Sequence, residues 1–182
     1  GGASLENMAS VRAIVCDKTG TLTTGRPGVT DVWLAPDAPP GFTRDDLLAY
    51  AASLESRSEH PLAREIVHAA ASRGLALPAM QGFVTLPGRG VHATLETFKV
   101  WLGSDRLYAE HGEPLPPAVR AEKLRLEAEG KSVLVLHREI DRRHGQGTHE
   151  QTGGWLGLIA MAYTLRPTVP QAIARFRALG IV

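Results

Sequence analysis

Apolar residues recur along the chain at two spacings, a longer one that is typical of helices and a shorter one that is typical of strands. Apolar residues recur at helical spacing in stretches that also carry helix start and stop residues. These stretches run from the Thr43 cap to Glu55, from Pro61 to Gly74, from Pro116 or Pro117 to Glu129, and from Arg166 to Gly180. Threonine and proline favour the starts of helices, and glycine favours their ends.

The shorter period and the β-branched runs predict strands. Val11–Cys16 is typical of a buried strand whose carboxyl end delivers the polar segment Asp17–Thr21. The Val- and Thr-rich segment Met80–Gly103, which turn residues interrupt twice, predicts antiparallel strands joined by tight turns. Two further strands are predicted over Ser132–His137 and Trp155–Ala162.

Two segments rich in glycine, proline or polar residues separate these elements. Gly25–Gly41 is predicted to be a linker or hinge, and Glu139–Gly154 a mobile hairpin loop. The two ends of the chain then look like βα pieces of one domain, and the middle looks like an inserted module. The predicted boundaries are 1–28 for the first part of the outer domain, 29–162 for the insert and 163–182 for the truncated second part.

The predicted fold class combines α/β and α+β structure. We expect the insert to be an antiparallel sheet of about six strands with helices on one side, and the ends to be a partial doubly wound domain. Because the chain begins without Met and stops in the apolar Gly180–Val182, it is interpreted as an excised fragment.

Composition and charge favour a folded protein. Of the 182 residues, 43% are apolar and 21% are charged, which argues against disorder. The net charge of +1 gives no reason to expect nucleic acid as a partner. The single cysteine, Cys16, cannot form an internal disulfide, and no apolar run reaches the roughly 18 residues that a membrane-spanning helix needs. We therefore expect a reducing, cytoplasmic setting.

Asp17–Thr23, with the sequence DKTGTLT, carries the strongest chemical signal. A carboxylate at a strand end can attack a phosphoryl group and form an aspartyl phosphate. Lys18 can neutralise phosphate charge, and the backbone around Thr19 can approach phosphoryl oxygens and Mg²⁺. The heptapeptide resembles the phosphorylation motif of the P-type ATPases. That resemblance implies Asp17, Lys18 and Thr19 as catalytic residues, and Asp17 and Thr19 as Mg²⁺ ligands in the full protein.

Ser58–Ala63, with the sequence SEHPLA, refines the resemblance. It is similar to a motif in the nucleotide-binding domain of the heavy-metal-transporting (P1B-type) branch, and Gly1–Glu6 looks like that branch's lead-in segment. The resemblance places His60 against the adenine ring. Pro61 fixes the start of the helix, and Glu55 can accept a hydrogen bond from the exocyclic amine of adenine. By itself, a histidine before a helix is more often a cap.

Three further segments match the same branch. Gly88–Val91 resembles its G-x-G-hydrophobic turn, which comes close to the nucleotide, although such a turn alone needs glycine for conformational reasons. Gly103 and Ser104 take the place of a Gly-Asn pair, with Ser104 departing from Asn. Ala162–Pro167 resembles the hinge back to the phosphorylation domain, with Tyr163 in place of Asp. The residues implied to bind the nucleotide are Glu55, His60, Pro61, Gly88, Gly90, Val91, Gly103 and Ser104.

The resemblance covers essentially the whole chain and implies a function. It implies a nucleotide-binding domain inserted into a partial haloacid-dehalogenase-like phosphorylation domain, with ATP and Mg²⁺ as cofactors. In the full protein, the γ-phosphate of ATP would pass to Asp17 and drive transport of zinc, cadmium, cobalt, lead or copper, with a lean to a divalent ion. The implied partners are ATP or ADP and the rest of the same pump, namely its phosphorylation, actuator and transmembrane domains.

The implied location is the cytoplasmic side of the cell membrane. The transported cation would bind outside these residues. We expect nucleotide binding with little turnover, since the family's TGD and GDGxND segments are absent.

Two alternatives belong to other functional classes. A haloacid-dehalogenase-type phosphatase would share the strand-end Asp17, but such phosphatases carry a second Asp two positions later as general acid and base, where this chain has Thr19. A nucleotide-binding module without catalysis is the other alternative. Phosphorylation of Asp17 in the presence of the downstream sequence would distinguish it from a pump.

Overall fold

The computed structural model describes residues 11–140 and 153–181. The internal contacts of these residues divide them into two compact units. One unit contains the described residues of Gly28–Ala162, and the other contains those of Gly1–Pro27 and Tyr163–Val182. Most of the predicted hairpin loop Glu139–Gly154 and the whole lead-in segment Gly1–Glu6 lie outside the described residues.

The described residues form six strands and five α-helices, besides one helical turn at Lys18–Leu22. The strands are β1 (Thr23–Leu34), β2 (Met80–Leu86), β3 (Gly90–Leu95), β4 (Phe98–Gly103), β5 (Ser132–Ile140) and β6 (Gly154–Leu165). The helices are α1 (Arg44–Glu55), α2 (Pro61–Ser72), α3 (Asp105–Glu110), α4 (Pro117–Ala128) and α5 (Val169–Ala178). None of these helices is both long and apolar enough to span a membrane.

The helix starts follow the predicted local signals. The Thr43 hydroxyl accepts a hydrogen bond from the Asp46 amide at 3.1 Å, and the Asp46 carboxylate accepts one from the Thr43 amide at 2.8 Å. This reciprocal capping box satisfies amides that the helix leaves without partners. Pro61 and Pro117 begin α2 and α4, where a missing N–H costs nothing. The periodicity did not predict α3, because six residues are too few to show a helical repeat.

The strands form one six-stranded sheet in the order β1-β6-β5-β4-β3-β2, and the pairs from β2 through β6 are antiparallel. The predicted antiparallel sheet of about six strands is therefore confirmed. The predicted linker over Gly25–Gly41 is wrong as far as Leu34, because these residues belong to β1. β1 is an edge strand, and an edge tolerates proline and glycine such as Pro27 and Gly28.

Helices cover both faces of the sheet, so the expectation of helices on one side is wrong. Successive strand residues point to opposite faces, and both sets are apolar. Leu102 and Leu136 belong to one core with α1 and α2, whereas Trp101 and Val135 belong to a second core with α3 and α4. A sheet that is apolar on both sides must be covered on both sides.

The other unit differs from its prediction in one element. Val11–Cys16 forms no strand, and Val15 is 99% exposed. A strand requires a neighbouring backbone for its hydrogen bonds, and no described residue of this unit pairs with this run. The predicted last helix is present as α5, which begins three residues after Arg166. Ile14 and Cys16 line an apolar cavity of about 360 Å³ together with Phe176 of α5.

Candidate functional site

Asp17 precedes a compact turn, Lys18–Leu22, in which the backbone folds back on itself. Together with Asp17, these residues are called the Asp17 turn. Its side chain is exposed, and Oδ1 accepts a hydrogen bond from the Thr19 amide at 3.4 Å. Gly20 has a φ of +84°, a conformation that glycine adopts without strain. The Gly20 amide donates to the Thr23 hydroxyl at 3.3 Å, and the Thr23 amide donates to the Lys18 carbonyl. The turn therefore presents the Asp17 carboxylate to solvent on a fixed backbone.

Arg166 holds this turn from the far end of the sequence. Its Nη2 donates to the Gly20 carbonyl at 2.8 Å, and its amide donates to the Leu22 carbonyl at 2.9 Å. The sequence placed Arg166 within the hinge-like segment Ala162–Pro167 but predicted no contact between Arg166 and the Asp17 turn. The contact joins residues that are far apart in the chain, so no local pattern indicates it.

The chemistry of the Asp17 turn fits a Mg²⁺ ion that is shared with a phosphorylated substrate. Mg²⁺ prefers oxygen ligands, and it is usually held by one or two carboxylates together with substrate phosphates. The turn offers the carboxylate of Asp17, and Asp17 and Thr19 are both exposed. In the described part of the chain, no group of three or more His, Cys, Asp or Glu side chains is arranged to hold a metal ion.

A second group of predicted residues lies in the other unit, where α1 ends and α2 begins. Burial raises the pKa of Glu55 above its ordinary value, while a hydrogen bond from Ser58 and the charge of His60 act to lower it. Glu55 Oε2 is buried and has no hydrogen-bond partner within residues 11–140 and 153–181. A buried acceptor without a partner is costly to a fold, so this oxygen is a candidate contact for a ligand donor.

His60 caps α2 and is exposed. Its Nδ1 accepts a hydrogen bond from the Leu62 amide at 3.2 Å, which is the contact of an N-cap side chain. The cap and the predicted adenine contact use different parts of the ring. The Nδ1 lone pair faces the helix amide, while the faces of the imidazole remain available for stacking. Pro61, also exposed, occupies the first helical position, as predicted.

The two glycine turns lie directly against each other. Gly90 is the register partner of Gly103 in the β3–β4 ladder. The Ser104 amide donates to the Arg89 carbonyl at 2.9 Å, and the Ser104 hydroxyl donates to the same oxygen at 3.4 Å. Ser104 therefore binds the neighbouring turn, which is a contact that the sequence did not reveal.

Gly90 and Gly103 have a steric role within the sheet. A Cβ atom on Gly90 would lie 2.1 Å from the Leu102 carbonyl oxygen, and one on Gly103 would lie 2.3 Å from the Arg89 carbonyl oxygen. Gly88, by contrast, has open space around it and a φ of +70°. The strands themselves therefore leave no room for a side chain at Gly90.

The structure links these predicted residues in two sets. Glu55 and His60 interact electrostatically, and the residues around Gly90 and Ser104 are hydrogen-bonded to one another. Leu62, two residues after His60, packs against the same apolar core that contains Val91. Sequence reasoning missed Glu110, which lies on the unpredicted α3 and pairs with Arg89 at 2.9 Å.

Comparison with known families and curated relatives gives consistent matches. Residues 11–182 match the model of the haloacid dehalogenase-like hydrolases. Copper-transporting ATPase 1 of Rhizobium meliloti (strain 1021) is 38% identical over 180 residues, which cover 99% of this chain and 20% of that protein. The copper-exporting P-type ATPase of Bacillus subtilis (strain 168) is 36% identical over 186 residues, which cover 100% of this chain and 20% of that protein.

Solved structures share the fold. A zinc-transporting PIB-type ATPase in the E2.Pi state superimposes with a TM-score of 0.75 at 31% identity, and the match covers 100% of this chain and 26% of that one. The N-domain of the copper-transporting P-type ATPase HMA8 gives a TM-score of 0.52 at 24% identity, over 75% of this chain and 99% of that one. The predicted resemblance to heavy-metal-transporting P-type ATPases is therefore confirmed, and the chain belongs to the haloacid dehalogenase-like hydrolase family.

Proposed function

We propose that this chain is the ATP-handling part of a heavy-metal-translocating P-type ATPase. In this proposal, residues 29–162 bind the nucleotide, while 1–28 and 163–182 belong to the phosphorylation domain. The observation that carries the proposal is the buried Glu55 Oε2, which has no hydrogen-bond partner among the described residues, on a side chain that interacts electrostatically with His60.

The adenine site follows from the hydrogen-bonding capacity of Glu55. A carboxylate accepts hydrogen bonds, and the exocyclic amine of adenine donates them. Guanine has a carbonyl oxygen at the corresponding ring position, which a carboxylate would repel. His60 offers an exposed aromatic plane on a fixed backbone, because its own Nδ1 caps α2. The proposed site therefore selects ATP and ADP over GTP.

The role of Asp17 follows from its exposure and its turn. An oxygen of the Asp17 carboxylate attacks the γ-phosphorus of ATP, the bond from that phosphorus to the bridging oxygen breaks, and ADP leaves. Water then cleaves the acyl phosphate and restores the carboxylate. Mg²⁺, when bound, supplies charge neutralisation for the phosphate oxygens. Lys18 adds a positive charge next to the nucleophile. In the whole pump, these two steps would drive transport of a metal cation across the cell membrane.

Thr19 favours a pump over a haloacid-dehalogenase-type phosphatase. It occupies the place where such phosphatases have a second Asp, and a threonine cannot act as their general acid and base. A slower hydrolysis of the aspartyl phosphate suits an enzyme that couples this intermediate to transport. The relatives named above, which are copper-transporting and copper-exporting ATPases, support the same choice.

Titration of the chain with ATP, ADP, AMP and GTP tests the nucleotide proposal. NMR should show shifts of His60 and of the amides of Gly88–Val91 with adenine nucleotides and weaker shifts with GTP. Glu55→Gln should reduce the preference for ATP over GTP, whereas the control Glu129→Gln, at the exposed end of α4, should not. Equal shifts with GTP and ATP would contradict the role of Glu55.

Labelling with radioactive ATP tests the phosphoryl-transfer proposal. The full-length protein should form an acid-stable, hydroxylamine-sensitive phosphoenzyme, and Asp17→Asn should abolish it. The same substitution in the chain alone should leave ATP binding intact, because adenine is held in the other unit. A phosphoenzyme that survives Asp17→Asn would exclude Asp17 as the nucleophile.

A further inference from the structure

We propose that Arg89 contacts the phosphates of the bound nucleotide and gives up its ion pair with Glu110 to do so. This inference rests on the proposed function, because it assumes that the nucleotide lies at the Gly88–Val91 turn. It adds a residue that determines how strongly the site prefers nucleotides with more phosphates.

The backbone of Arg89 is fixed on both sides. Its amide donates to the Leu86 carbonyl at 3.0 Å, and its carbonyl accepts from the Ser104 amide at 2.9 Å. Gly88 has a φ of +70°, and Gly90 lies against the β4 backbone without room for a side chain. The turn therefore cannot move easily. The long Arg89 side chain is the part that can change its position when a ligand arrives.

In the part of the chain that the structure describes, the guanidinium of Arg89 is paired with one exposed carboxylate. Nη1 of Arg89 lies 2.9 Å from Glu110 Oε2, and the two side chains are 42% and 36% exposed. Ion pairs between exposed side chains are weak, because water screens them and ordering two long side chains costs entropy. A nucleotide phosphate carries more charge than a carboxylate and matches the planar fork of arginine. Arg89 can therefore exchange Glu110 for a phosphate at small cost.

Glu110 keeps a partner after the exchange. Its Oε1 already accepts a hydrogen bond from Arg106 Nε at 2.9 Å, one turn earlier on α3. The charges of Arg106 and Arg89 both hold the pKa of Glu110 below its usual range, with the Arg106 hydrogen bond as the main cause. The carboxylate thus stays ionised and paired when Arg89 leaves. Without nucleotide, Glu110 pairs with Arg89, so an arriving phosphate must displace Glu110 to bind this guanidinium.

The test compares adenosine, AMP, ADP and ATP binding to the 182-residue chain by calorimetry at low salt. Arg89→Gln should weaken ATP binding about tenfold and AMP binding less, and it should leave adenosine unchanged. Arg89→Lys should restore part of the ATP affinity, because it keeps the charge. Glu110→Gln should strengthen ATP binding about two- to threefold without affecting adenosine. Arg120→Gln, on an exposed part of α4, serves as the matched control.

The outcomes separate this inference from the proposed function. Equal losses for adenosine and ATP in Arg89→Gln would mean that Arg89 only supports the turn, and unchanged affinities would mean that it touches no phosphate. Either result overturns the inference and leaves the nucleotide site in place. Failure of the unmodified chain to bind any of the four ligands would overturn the proposed function together with the inference.

Discussion

The Arg166 guanidinium donates a hydrogen bond to the Gly20 carbonyl at 2.8 Å, although 146 positions separate the two residues. The Arg166 amide adds a bond to Leu22, so a single residue binds the Asp17 turn at two points. Both bonds lie within the unit that contains Asp17. The conformation of the proposed nucleophilic turn thus depends on the return segment of the chain as well as on the turn's own residues.

Replacing Arg166 should loosen this turn without unfolding the chain. Arg166→Gln removes the side-chain bond to Gly20 but keeps the backbone bond to Leu22, and a bond of this kind contributes about 1 kcal/mol. We expect the Thr23 amide, which donates to Lys18 within the turn, to exchange its hydrogen several-fold faster. Hydrogen exchange followed by NMR measures this. Arg175→Gln on the exposed side of α5 is the control, and equal exchange rates in the two variants would contradict the role of Arg166.

Substitutions at the two turn glycines should have unequal effects. At Gly90, an alanine Cβ would overlap the Leu102 carbonyl oxygen, so Gly90→Ala should lower the free energy of unfolding by more than about 2 kcal/mol. At Gly88, the only cost is the left-handed backbone, roughly 1 kcal/mol. Chemical denaturation of both variants measures the difference. Equal losses would show that β3 and β4 can separate to accommodate a side chain.

Local signals explain which elements could be predicted from the sequence. Thr43 and Pro61 act within one helical turn of their own positions, so the starts of α1 and α2 could be predicted. The start of β1 could not, because its glycines and proline are tolerated only through its position at the sheet edge. The apolar run Val11–Cys16 predicted a strand, but its residues have no neighbouring strand among the described residues of their unit.

In the candidate site, too, residues in short motifs could be predicted from the sequence, whereas contacts between distant residues could not. Motifs identified Asp17, His60 and Gly90, because each lies in a short stretch of consecutive residues. The contacts that hold them depend on register and on helix placement. Glu110 reaches Arg89 only because α3 follows Ser104 directly, and Ser104 in turn binds the Arg89 carbonyl. No periodicity along the chain reports such pairs.

The partly buried carboxyl of Glu55 should make stability depend on pH. Burial raises its pKa in the folded state above the ordinary value of 4.5, so the folded protein binds this proton more tightly than the unfolded chain does. The contribution of Glu55 to stability is therefore greatest below pH 4.5 and falls as the pH rises through the folded-state pKa. Glu55→Gln has no carboxyl to ionise, so its stability does not fall with pH for this reason.

Denaturation of both proteins from pH 3.5 to pH 7.5 measures the effect. We expect Glu55→Gln to gain stability relative to the parent as the pH rises, and saturating ATP to reduce that gain by giving Oε2 a donor. A difference between the two proteins that stays constant with pH would exclude a raised pKa for Glu55.

Substitutions at His60 should separate its cap from its proposed contact with adenine. The Nδ1 bond to the Leu62 amide means that His60→Ala loses a helix cap, at a cost of about 1 kcal/mol, as well as the ring. His60→Asn restores an acceptor that favours the N-cap position but supplies no aromatic plane. We therefore expect His60→Asn to unfold like the parent and to bind ATP as weakly as His60→Ala, as measured by thermal unfolding and calorimetry. If His60→Asn recovers ATP affinity together with stability, the histidine acts only by ordering the start of α2, and the adenine contact must be assigned to Glu55 alone.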